Sequence, residues 1–165
     1  MPEHELPEPP PPPDVERRLR LHRHQWIGVP LLALLPILAV AGVFGESWRV
    51  EQRANEQLEL TLRYPTRYRY KQLNSIELWI RNRSPATIDT VSVAVDTAFG
   101  NRFSTVRSIP GFDSPYELSL TRLEPGESRM VVIEIQGEHY GRHSGRLEVH
   151  AADTLGVTMT TFIFP

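Results

Sequence analysis

Cysteine is absent from this chain. A disulfide scaffold, a thiolate zinc site, an iron–sulfur centre and a cysteine nucleophile are excluded together. Lysine is nearly absent: of 18 basic residues only Lys71 is not arginine. Such a bias fits a GC-rich bacterial genome. Neither sign of charge dominates, since the net charge is −2 over 165 residues. That excludes a strongly basic nucleic-acid binder and a highly charged disordered chain. No Gly-x-Ser-x-Gly, phosphate loop or dinucleotide fingerprint occurs, and the carboxylates are scattered. The chain is therefore expected to be no enzyme, with no catalytic residue, cofactor or resident metal. Its length suits one ordinary domain and a little more.

Proline, by contrast, is plentiful, and seven of the 15 prolines fall in the first thirteen residues. The run Pro9 to Pro13 cannot be helical, because proline lacks the backbone donor and clashes with the preceding turn. It is expected to be polyproline II or disordered. Asp14 could cap a short helix from Val15 to Arg20, and Arg17, Arg18, Arg20 and Arg23 crowd the end of this part. Residues 1–25 thus read as a proline- and arginine-rich tail.

Only one long apolar run exists. Residues 26–45 carry no charge, and at 1.5 Å per residue they would span roughly 30 Å as a helix, a bilayer core. Trp26 and Trp48 bracket the run as interface aromatics do. A spanning helix is expected, uncleaved, in preference to a buried core helix or a signal peptide cut near Ala39-Val40-Ala41. Pro30 and Pro36 are tolerated in such helices. The four arginines before the run, against Arg49 and Arg53 after it, place the N-terminus in the cytoplasm. Those arginines could also hold anionic lipid headgroups. Ala41 and Gly45 form a small-xxx-small pair that would let another helix approach.

After a short linker over 46–55, residues 56–165 show period two. Leu58, Leu60 and Leu62, then Ile76, Leu78 and Ile80, then Val91, Val93 and Val95 begin the series. Tyr116, Leu118 and Leu120, Val131, Ile133 and Ile135, and Leu147, Val149 and Ala151 continue it. Val157, Met159, Thr161 and Ile163 close it. Turn signals lie between these runs. About seven half-buried strands without helical periodicity predict an all-β antiparallel sandwich.

Three segments carry a resemblance. Ile76 to Ser84 resembles the strand and turn of immunoglobulin-like envelope domains. Leu123 to Ser128, before Val131 to Ile135, resembles their turn and long hydrophobic strand. Tyr140 to Val149 resembles the next hairpin. The resemblance covers about residues 56–165 and implies a fold, not an activity. Membrane-anchored copper chaperones for oxidase assembly also join one helix to such a sandwich. They carry a cysteine pair that this chain lacks, so their function is not carried over.

Three features are candidate sites. Arg63 to Lys71 interleaves cations with Tyr64, Tyr68 and Tyr70. It could grip lipid headgroups or an acidic partner surface, or be a strand with tyrosines on one face and cations on the other. The stretch from Asp96 to Pro115 lacks clear alternation and holds Phe99, Phe103 and Phe112. It is expected to be a docking loop with aromatic anchors, unless the rings fold back over an open end of the sandwich. His139, His143 and His150 lie close in sequence, but Gly141 and Gly145 make a helical ligand pair improbable.

The reading is a bitopic bacterial inner-membrane protein with a cytoplasmic tail and an outward sandwich. Its expected role is a non-catalytic accessory subunit of a larger membrane complex, respiratory or photosynthetic. The partners are then integral membrane subunits and anionic lipid, not nucleic acid. The alternative is a free-standing envelope module for a polysaccharide, peptide or periplasmic protein.

Overall fold

The computed structural model describes residues 25–40, 42 and 45–165. The expectations for the proline-rich tail, for Arg17, Arg18, Arg20 and Arg23, for Ala41 and for the Trp26 side chain lie outside those residues. The chain divides between residues 41 and 42 into two units.

The first unit contributes α1, Gln25–Val40, 16 residues with Pro30 and Pro36 inside it. It holds no ionisable residue. Ile27, Val29, Leu31, Leu32 and Ile37 are among its exposed apolar side chains. Its length of about 24 Å is shorter than the expected span over 26–45. Among the described residues no helix is long and apolar enough to cross a membrane. The local reason is Gly42, whose φ of +75° lies in the left-handed region where glycine commonly ends helices. Gly45 N–H then donates to the Gly42 carbonyl at 2.9 Å. Gly45 therefore sits in a turn, not on the helix, and cannot form the expected packing pair there.

The second unit is all-β apart from one short helix. Its elements are β1 (Ser47–Ala54), β2 (Leu58–Arg69), β3 (Leu73–Asn82), β4 (Ile88–Val95), α2 (Thr97–Gly100) and β5 (Phe103–Ile109). β6 (Glu117–Leu123), β7 (Ser128–Gly137), β8 (Gly141–His150) and β9 (Thr154–Phe164) complete it. Hydrogen bonding runs β5-β7-β3-β2-β9-β8-β4-β6, with β1 also on β2.

β2 makes this one curled sheet with two facing halves. Its residues 58–63 pair antiparallel with β3, and its residues 67–69 pair parallel with β9. Pro65, which has no N–H to give, lies between the two ladders. The pairings β3–β7, β4–β8 and β8–β9, with β2 crossing to β9, follow immunoglobulin-like strand order. The chain departs from that order once: β5 joins β7 before β6 returns to β4.

The alternating side chains meet in one core. Leu60, Leu78, Ile80 and Ile133 from one half face Val93, Leu147, Val149 and Met159 from the other. The nine strands exceed the seven expected. β1 occupies most of the expected linker, and β5 lies inside the expected loop.

Candidate functional site

Period two decides the fate of Arg67 to Lys71. Tyr68 points inward and is 0% exposed, and Tyr64 is 2% exposed. Neither can be the expected partner contact, because both rings are spent on the core. Burial chiefly pushes the Tyr64 phenol up, helped by Glu51, to which its hydroxyl donates at 3.2 Å. Burial alone pushes the Tyr68 phenol well above its ordinary range. The Tyr68 hydroxyl has no hydrogen-bond partner among the described residues.

The cations take the opposite face. Register places Arg67 of β2 beside Phe162 of β9, and Phe162 beside Arg142 of β8. The next rung pairs Arg69 with Phe164. Phe162 is 45% exposed. This outward face of β2, β9 and β8 thus carries arginines alternating with phenylalanines.

A rigid turn continues it. Tyr70 N–H donates to the Phe164 carbonyl at 2.8 Å, Lys71 N–H to Gly137 at 3.0 Å, and Gln72 N–H to Arg69 at 3.2 Å. Gln136 Nε2 donates to the Lys71 carbonyl at 2.7 Å. These bonds hold Lys71 at φ 57°, uncommon for a residue with a side chain. Its Nζ lies 5.5 Å from the Tyr70 ring centroid, and Tyr70 packs on Tyr140 at 4.6 Å. Beside the turn is an open cleft of about 590 Å³ lined by Gly45, Glu46, Arg69, Lys71, Gln72 and Phe164. Gln72 Nε2 donates to the Glu46 carboxylate. Arg69, Lys71 and Arg142 have no carboxylate partner among the described residues, whereas Arg63, Arg107, Arg129 and Arg146 each have one. Unpaired cations beside exposed aromatics suit contact with a negatively charged surface.

The phenylalanine loop is corrected more fully. Phe99 is 2% exposed and Phe103 is 7% exposed. Their rings meet edge to face at 4.8 Å, and Phe112 is only half-buried, against Tyr116 at 6.3 Å. Asp96 accepts from Ala98 N–H at 2.8 Å and caps α2, which seats Phe99 over Gly145. Phe99 and Phe103 close an end of the core instead of offering anchors.

Trp48 belongs to β1, where the Arg63 guanidinium covers its ring at 4.7 Å. His143 Nε2 donates to the His139 carbonyl at 2.7 Å, and His150 bonds Thr154 at 2.9 Å. Among the described residues no three metal-ligating side chains come together.

Sequence reasoning reached Arg67, Arg69, Tyr70 and Lys71 but missed Phe162, Phe164, Arg142 and Tyr140. A signal existed. Ile163 fills the inward register of β9, so the phenylalanines on either side of it must face outward, against the usual polarity of a solvent face.

No protein-family model matches the chain, and its sequence matches no curated protein. Solved structures are similar in shape. The CARDB domain of the PF1109 protein from Pyrococcus furiosus, in complex with di-metal ions, is 12% identical with a TM-score of 0.46. That match covers 67% of this chain and 97% of the other. AvmM, which catalyses macrocyclization in alchivemycin A biosynthesis, is 10% identical with a TM-score of 0.42, covering 73% and 98%. A family 123 glycoside hydrolase from Clostridium perfringens is 7% identical with a TM-score of 0.42, covering 71% and 27%. Likenesses of this size carry nothing about activity.

Proposed function

We propose that this protein is a non-catalytic accessory module of a bacterial membrane complex. The apolar run from Trp26 to Gly45 tethers it, and the sandwich contacts partner subunits outside the cytoplasm. One observation carries the reading: α1 is free of charge and leaves its large apolar side chains exposed. Burying eight side chains of that kind in lipid or against other helices is worth roughly 10–20 kcal/mol. The arginines before the run keep the leader cytoplasmic. A closed core and an open sheet face suit contact with a surface better than enclosure of a small substrate.

Alkaline carbonate washing of membranes holding the full chain, followed by mild detergent extraction and native mass spectrometry, tests this. The chain is expected to stay with the membrane and to migrate with integral membrane proteins. Release by carbonate overturns the tether. A lone species of 18.9 kDa with detergent overturns the accessory role and favours a free-standing binding module.

A further inference from the structure

We propose that the outward face of β2, β9 and β8, with the Lys71 turn, rests on anionic lipid headgroups. The inference depends on the tether proposed above and names what that end of the sandwich touches.

The distribution of charge carries it. Arg69, Lys71 and Arg142 have no carboxylate partner among the described residues, whereas Arg63, Arg107 and Arg129 sit on carboxylates. Arg81, Arg83 and Arg102 also lack an ion pair among those residues, but none of them lies on the face of β2, β9 and β8. The change can be followed along the strands themselves. Moving along β8 from Arg142, the next outward residue, Ser144, bonds Thr160 of β9 at 3.0 Å. The one after it, Arg146, already holds Glu148 at 2.9 Å. Arg69 and Arg142, which lack a carboxylate, and the outward Phe162 and Phe164 therefore lie together at one end of this face.

That end is where the domain begins. Gly45, the last residue of the charge-free run, and Glu46 after it line the cleft beside Lys71. The chain coming from the proposed tether therefore enters the sandwich at this end. The side chains found there are the types that settle at a bilayer surface: cations for phosphate, aromatic rings for the headgroup zone. Two carboxylates lie at the same end. Glu46 is engaged by Gln72, and Glu138 is exposed in the turn between β7 and β8. Three unpaired cations outweigh them. The face is also stiff, because β9 is bonded along its length to β8 and at its end to β2. Little ordering is lost when it docks.

The absence of cysteine supplies the test. A nitroxide is attached to the full chain at Ser144→Cys, beside the face, or at Ser128→Cys at the far end of β7. Each labelled chain is placed in nanodiscs of phosphatidylcholine, with or without phosphatidylglycerol. Collisional relaxation by a nickel chelate and by oxygen reports accessibility. Phosphatidylglycerol is expected to shield the label at 144 from the chelate and to leave the label at 128 unchanged. High salt should reverse the shielding. Each cation removed should lower the ratio of docked to free domain about fivefold. The set Arg69→Ser, Lys71→Ser and Arg142→Ser should lower it about a hundredfold. Circular dichroism confirms that this variant is folded; if it is not, the single Arg142→Ser change should still give its fivefold drop.

Equal accessibility in both lipids, with the chain still in the discs, overturns this inference and spares the tether. So does shielding by soluble inorganic phosphate in phosphatidylcholine alone, or shielding that needs a co-purified protein. Loss of the chain from the discs overturns the tether and this inference with it.

Discussion

Tyr68 gives the sharpest test of the core. Its ring is 0% exposed, and its hydroxyl finds no hydrogen-bond partner among the described residues. Folding therefore strips the hydroxyl of water without replacing the bond. Tyr68→Phe is expected to stabilise the protein at neutral pH by about 1 kcal/mol, against the usual direction for core changes. Alkali separates this account from simple packing. Burial raises the folded phenol above its ordinary value near 10. Stability from keeping it neutral is thus complete below pH 10 and is lost as pH rises. Between pH 8 and pH 11 the unfolded chain releases a proton that the folded chain keeps, which costs the wild type about 1.4 kcal/mol. Tyr64 is raised too, but it is present in both proteins and cancels. Urea unfolding of the full chain in a nonionic detergent, at both pH values, measures the difference. The alkaline loss in Tyr68→Phe should be smaller by about 1.4 kcal/mol. Identical losses would refute the reasoning, because the phenol would then ionise in the folded protein as freely as in the unfolded one.

Two further changes test the ends of the sandwich. A Cβ at Gly145 would lie 2.2 Å from Phe99 Cβ, which cannot swing aside. Gly145→Ala is therefore expected to destabilise by about 1–3 kcal/mol, read as a lower urea midpoint with an unchanged slope. Asn82 is buried, and its Nδ2 donates to the carbonyls of Ala86 at 2.8 Å and Leu123 at 2.9 Å. Its Oδ1 accepts from Ser84 N–H at 2.8 Å. Asn82→Ala should cost about 2–3 kcal/mol. Asn82→Asp should cost at least as much in the same assay, since it loses both donors and buries a charge.

Much of the fold was legible because most strands present one buried face. Leu58, Leu60 and Leu62, like Val131, Ile133 and Ile135, announce themselves by alternation, and all six are buried. β1 gave no such signal. It is an edge strand with both faces largely open, and Arg49 and Arg53 flank Glu51 on it. Charge of that kind on an edge strand also discourages pairing with another strand. β5 was hidden by an irregular register between Phe103 and Thr105, and by Ser108, a polar residue that is buried. The aromatic spacing of Asp96 to Pro115 could not reveal that its phenylalanines pack over Gly145.

The sequence by itself determined the charge-free run, the inward stripes of the strands, and the alternation of tyrosine with arginine up to Lys71. Those are local properties, set by a period of two or by length against a bilayer. Only the tertiary structure decided that Phe162 lies between Arg67 and Arg142, and that Phe164 meets Arg69. Those residues are remote along the chain. The crossing of β2 from one half of the sheet to the other brings them to one face, and no local pattern encodes a register between distant strands.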